Sequence, residues 1–109
     1  MHGKRYLLYL VEFGGLYKFG IGESDRVLTH RRLGAAVNRV LRSEYQHVKA
    51  AETLLKRRFK DVPQPPAPPG MPRSFGIGAK RTETVPTSFK VDLDEVLPGA
   101  QDVTVRYRT

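Results

Sequence analysis

Tyr9 and Lys18 stand on either side of Gly14-Gly15, Arg26 and His30 stand four residues apart, and Glu52 follows farther along the chain. Their chemistry is complementary. A phenol and an imidazole exchange protons, an ammonium and a guanidinium hold anions, and a carboxylate binds a hard cation. If Gly14 and Gly15 form a hairpin loop, paired residue numbers sum to 29, so Val11 faces Lys18 and Tyr9 faces Gly20. Tyr9 and Lys18 then share a face as diagonal neighbours, beside a glycine that leaves the backbone bare. Taken singly, Tyr9 reads as a core aromatic with a satisfied hydroxyl, and Lys18 as a solvated strand residue. Together they place two functional groups and an open backbone patch on one surface. Arg26 and His30, at a helix start, project from one side about a turn apart, where the arginine and free amides can clamp a phosphate. His30 alone reads as structural. Glu52 lies four residues after Val48 and three before Leu55, on or beside an apolar stripe. It suits either an i,i+4 ion pair with Lys56 or a divalent-metal ligand, since magnesium uses few protein carboxylates.

The 109 residues carry 19 Lys and Arg against 11 Asp and Glu, a net charge of +8. Between Arg26 and Lys60 there are ten basic residues and two acidic ones, and the rest of the chain is balanced. Such a segment suits a polyanion, most often nucleic acid, or else a solvated helix that is basic for solubility. The candidate phosphate contacts within it are Arg31, Arg32, Arg39, Arg42, Lys49, Lys56, Arg57 and Arg58.

The elements that must position these groups follow from patterning. Arg5 to Phe13 is apolar on both faces until Glu12, as in a strand covered on two sides, and Leu16 to Gly22 alternates. With Gly-Gly between them they predict a β-hairpin with a primed turn. Ser24 or Asp25 is the expected N-cap of a helix from Arg26 to about Leu33, interrupted at Gly34. Ala35 to Lys60 shows a period near 3.6 at Val37, Leu41, Tyr45, Val48, Leu55 and Phe59, which predicts one long helix or two short ones. Pro63 to Pro72 holds six prolines in ten residues and reads as an extended loop, a passive spacer in preference to a ligand for a proline-binding domain. Thr82 to Val91 is expected to form an edge strand interrupted by Pro86, Asp92 to Leu97 a short helix closed by Pro98-Gly99, and Asp102 to Tyr107 a last strand. Phe-Gly-Ile-Gly occurs at 19–22 and 75–78 with nothing else repeated around it, and reads as coincidence.

One small domain over residues 1–109, of α/β (α+β) class with a small antiparallel sheet flanked by helices, is the expected architecture. The chain has no cysteine, which excludes disulfides and thiolate zinc and suits a reducing compartment. Its longest apolar run, Tyr6 to Val11, is far short of the roughly 20 residues of a membrane span, so a soluble cytoplasmic protein is expected. A nucleotide-binding P-loop is excluded because no GxxxxGK[ST] run occurs.

Leu8-Tyr9-Leu10-Val11-Glu12-Phe13, Leu16-Tyr17-Lys18-Phe19-Gly20-Ile21-Gly22, Arg26, His30 and Ala51-Glu52-Thr53-Leu54-Leu55, ending at Phe59, follow in an order that resembles the GIY-YIG nuclease family. The likeness covers roughly the first 60 residues. It implies a motif hairpin in a small antiparallel sheet, with Tyr9 at the first-motif tyrosine, Gly20 at the second-motif glycine, and Lys18 where many members have a second tyrosine. Arg26, His30 and Glu52 fall at the family's arginine, histidine and metal-binding glutamate. The shortened gap after Lys18 leaves Arg31 as the alternative arginine. The only Asn, Asn38, precedes Glu52, so the family's later Asn has no counterpart. Glu83 is a further family-like acidic residue ahead of a strand.

The implied function is divalent-metal-dependent endonuclease cleavage of a nucleic acid, with DNA as the expected substrate. Mg²⁺ or Mn²⁺ on Glu52 would polarise the scissile phosphate. Tyr9, its proton affinity lowered by Lys18 or His30, would position or deprotonate the attacking water, and Lys18 and Arg26 would stabilise the transition state. The rival reading is a binding module that keeps the fold and basic surface without cutting. Whether a homodimer is needed to cut two strands is left open by the sequence.

Overall fold

The computed structural model describes residues 5–63, 69–70 and 83–108. β1 (Arg5–Phe13) and β2 (Leu16–Gly22) form the predicted hairpin. Gly14 and Gly15 have φ of 54° and 83°, the left-handed pair that a two-residue primed turn demands. Phe13 pairs with Leu16, Val11 with Lys18 and Tyr9 with Gly20, as the turn dictates. α1 (Ser24–Arg32) crosses back, β3 (Ala36–Glu44) pairs with the free edge of β1, and α2 (Tyr45–Phe59) follows. After the Pro-rich stretch, β4 (Thr84–Pro86) pairs with β2, α3 (Leu93–Val96) follows, β5 (Gln101–Asp102) extends β3, and α4 (Val105–Arg108) closes the described chain. The result is an α+β fold built on a five-stranded antiparallel sheet in the order β4-β2-β1-β3-β5.

β1 is apolar on both faces because the sheet is covered on both. Leu7, Tyr9 and Val11 pack with Val27 of α1 and Tyr107 of α4 on one side. Leu8, Leu10 and Phe19 pack with Val48, Ala51, Leu55 and Phe59 of α2 and Leu93 of α3 on the other. No helix among the described residues is long and apolar enough to cross a membrane.

Four sequence expectations are corrected. The helix expected over Ala35 to Lys60 begins only at Tyr45, because Ala36 to Glu44 is the strand β3. Asp102 to Tyr107 is not a strand: two residues pair in β5, and the Asp102 carboxylate then accepts from the Thr104 amide and hydroxyl and turns the chain into α4. The N-cap of α1 is Glu23, not Ser24 or Asp25, and no side chain caps its first amides. The strand expected to run on to Val91 is also cut short, since β4 ends at Pro86 and the chain turns there; the edge position of Pro86 and the short helix after Asp92 are as expected, with Asp92 accepting from the Asp94 and Glu95 amides. Most of the Pro-rich loop, Thr82 and the second Phe-Gly-Ile-Gly lie outside the described residues.

Candidate active site

Tyr9 stands at the middle of β1, 1% exposed, with its ring over Gly20 of β2. A Cβ at Gly20 would lie 2.7 Å from the phenol oxygen, so the glycine makes room for the ring end. The Tyr9 hydroxyl and His30 Nε2 are hydrogen-bonded at 3.1 Å. Gly22 serves α1 in the same way: its missing Cβ would lie 3.0 Å from Arg26 Cβ, so the start of the helix rests against the strand. The Arg26 guanidinium lies near enough to the phenol for its charge to act on it. Tyr9, Arg26 and His30 therefore form one cluster, with a recess of about 310 Å³ lined by Asp25, Arg26, Thr29 and His30.

Electrostatics correct one part of the expected chemistry. Burial raises the proton affinity of Tyr9 well above that of a free phenol; Arg26 opposes this, and the charges of Glu83 and Glu52 add to it. Tyr9 is thus a neutral hydroxyl in the resting protein. Burial outweighs any lowering by Lys18, whose ammonium is paired with Glu83 at 2.8 Å. Burial, then the neighbouring Lys18 and Arg26 charges, push His30 down to about 4. The imidazole is neutral at pH 7 and able to accept a proton.

This shift makes His30 a pH sensor for folding. Unfolded histidine has an ordinary value of 6.5 and takes up a proton that the folded state refuses, so stability falls as pH is lowered from 6.5 towards 4. The expected loss is about 2–3 kcal/mol over that window. Denaturant unfolding of wild type and His30→Gln across it checks this; parallel pH profiles for the two proteins would contradict it.

Glu52 reaches the site from the opposite layer. It lies on the sheet-facing side of α2, 4% exposed, with Lys49 Nζ at 3.1 Å and Lys56 Nζ at 3.7 Å. The i,i+4 pair with Lys56 is thus present. Glu83, immediately before β4, joins the two layers. Its peptide carbonyl accepts from Phe19 N on the edge of β2, and its carboxylate binds Lys18 Nζ and, at 3.5 Å, Lys56 Nζ. Lys56 thereby bridges it to the Glu52 carboxylate. A polar chain Lys18–Glu83–Lys56–Glu52–Lys49 therefore wraps the sheet edge from the α1 side to the α2 side. Sequence spacing gave Glu83 only a loose place. Its one signal is an acidic residue flanked by threonines, beside the strand that pairs with Lys18.

Among the described residues no group of three or more His, Cys, Asp or Glu converges on one point. The donor set that is present, two carboxylates bridged by one ammonium, fits Mg²⁺ or Mn²⁺, which takes one or two protein carboxylates and fills its shell with water and phosphate. Lys49, half-exposed, is the ammonium that such an ion would displace.

Arg31 is exposed and lines a different recess with Leu28 and Arg32, so the structure brings Arg26, not Arg31, to Tyr9. Asn38 is in β3, where its side chain donates to Glu12. Arg39 pairs with Asp94 and Asp102, and Arg58 with Glu95, so these two cations are already neutralised. Arg57 is exposed on α2, and Arg42 half-buried on β3.

No protein-family model, curated protein or solved structure matches the chain.

Proposed function

We propose that the protein is a divalent-metal-dependent nuclease that hydrolyses phosphodiester bonds, with DNA as substrate, in the reducing interior of a cell, and that it works in the manner of the GIY-YIG enzymes its motifs resemble. The observation that carries this reading is the hydrogen bond from Tyr9 to His30, which with Arg26 lines one recess, and the polar chain of Lys18, Glu83, Lys56 and Glu52 round the same sheet edge.

The resting charges set the proton path. The guanidinium of Arg26 near the phenol has no lone pair and cannot compete for the phenol proton, which is free to be donated to the neutral His30 Nε2. As the attacking water loses its proton to the Tyr9 oxygen, the phenol passes its own to His30, and no free phenolate has to exist. Arg26 is exposed and has five donors, so it can hold the phenol and the phosphate together and offset the charge gained by phosphorus. Lys18 is enclosed and tied to Glu83, so it acts by fixing Glu83 rather than by reaching substrate. Glu52 with Glu83 would hold the metal ion, which when bound polarises a phosphate oxygen and stabilises the leaving 3′-oxygen.

Supercoiled plasmid incubated with protein and Mg²⁺ tests the reading. Nicking is expected, with losses of about 10²–10⁴-fold in Tyr9→Phe and Glu52→Ala and none without a divalent ion. Nicking retained by both variants would end the assignment. One observation favours the rival binding module: Glu52 is already neutralised by Lys49 and Lys56, so the network is electrostatically complete without an ion. Salt-dependent DNA binding with no cleavage under Mg²⁺ or Mn²⁺ would select it.

A further inference from the structure

We infer that Arg5, Arg42 and Arg106 form a second phosphate site, which holds the backbone of the nucleic-acid strand a few nucleotides from the bond to be cut. The inference rests on the nucleic-acid reading above.

The sheet register puts these residues together. Arg42 of β3 is directly opposite Leu7 of β1, and Arg5 is two residues from Leu7 on the same face. That face is the one covered by α1 and α4. α4 brings Arg106 to the same place. The three arginines, with Leu7, Glu23, Ser24 and Tyr107, line a recess of about 230 Å³. This is several times the roughly 30 Å³ share of a water molecule, and so has room for a phosphate group.

The recess is built for an anion. Arg39 and Arg58 have carboxylate partners, but among the described residues none of Arg5, Arg42 and Arg106 makes an ion pair. Three arginines thus line one recess whose only acidic lining residue is Glu23; Glu44, across the ladder from Arg5, lines the adjoining one. Ser24 and Tyr107, hydroxyl to hydroxyl at 2.8 Å, add polar hydrogens to its wall. Ser24 is also the first residue of the nine-residue α1, whose opening amides carry no side-chain cap. Arginine forks suit phosphate oxygens bidentately.

Position argues for a nucleic-acid strand over a free anion. Arg5 is four residues along β1 from Tyr9 on the same face, about 13 Å at 3.3 Å per residue. At about 3.4 Å of axis per nucleotide that is three to four nucleotides. Arg5 and Arg42 are also walls of an adjoining recess of about 910 Å³ between α2 and the turn after α3, which gives the strand a path onward round the end of the sheet.

Fluorescence anisotropy with a labelled single-stranded DNA, titrated with salt, tests the site on the full chain. For Arg5→Ala/Arg42→Ala/Arg106→Ala the log–log salt slope should shrink by about one per guanidinium removed, with affinity down about tenfold or more at low salt. The corresponding triple lysine variant should regain most of the slope, because the counterion count follows charge. If the triple alanine protein does not fold, Arg106→Ala alone, exposed on α4, should still lower the slope by about one. An unchanged slope overturns the inference, as does an unchanged affinity for DNA with lost affinity for polyglutamate. The two readings fail separately. A wild type that binds but never cuts, with the slope reduced in the variant, keeps the recess and removes the nuclease; normal cutting with an unchanged slope does the reverse.

Discussion

Gly20→Ala is expected to leave the sheet in place and silence the site. The new methyl would sit 2.7 Å from the Tyr9 hydroxyl oxygen and 2.9 Å from Cζ, closer than real Cβ contacts come. That ring cannot step aside, since it is 1% exposed and its hydroxyl is bound to His30. Overpacking of this kind costs about 1–3 kcal/mol. With the hydroxyl moved off His30 and Arg26, plasmid nicking should fall by about 10²-fold or more. Gly22→Ala is the internal comparison. Its methyl would meet Arg26 Cβ at 3.0 Å, so the start of α1 has to shift by only a few tenths of an ångström, and the loss should be smaller. A Gly20→Ala protein that melts and nicks like wild type would show that Tyr9 does not work from this position.

Glu83→Gln should destabilise the fold by about 2 kcal/mol, because it leaves an ammonium in a nearly closed site without its carboxylate. The Lys18 side chain is 6% exposed and its pair is 2.8 Å long. The figure is below the value for a fully buried pair because the Glu83 side chain is 28% exposed. Lys18→Met/Glu83→Gln should recover most of the loss, giving a coupling of about 1–3 kcal/mol in a double-mutant cycle. Denaturant midpoints of the four proteins decide it, and additive single losses would refute the pairing. The pH dependence has a definite sign. Burial works to raise the Glu83 carboxyl, but Lys18 first, then contact with Glu52 and the charge of Lys56, hold it below the ordinary 4.5. The stabilisation is therefore present above that value and lost as pH falls through the lowered one.

The hairpin was fully legible because one local feature sets it. Gly14-Gly15 fixes the turn, the turn fixes the register, and the register brings Tyr9 over Gly20. β3 was not legible, and the reason lies in a bulge. Leu10 pairs with Arg39 but Val11 with Val37, so Asn38 is an extra residue with no partner in the ladder. Val37 and Val40, three apart, consequently both face the α1 side. An interrupted two-residue alternation looks like a helical period, and Val37, Leu41, Tyr45 and Val48 continued it into the true helix. Of the candidate site, Tyr9, Lys18, Arg26, His30 and Glu52 were readable as residue types at suggestive spacings. The role of Glu83 was not, since it depends on β4 pairing with β2 across 65 residues of sequence, which no local pattern encodes.

β4 has only three residues, and Glu83 stands at its leading end. Consecutive strand residues point to opposite faces: Thr84 is paired with Lys18 on the α1 side, while Val85 packs with α2. Glu83 therefore starts on the α2 side and meets Lys18 only by bending round the border of the sheet. A slip of one position in so short a strand would turn that carboxylate the other way and cut the two halves of the centre apart. Ladder alignment at the outermost strand is thus a hinge on which cooperation between the layers depends, with three pairings to keep it in place.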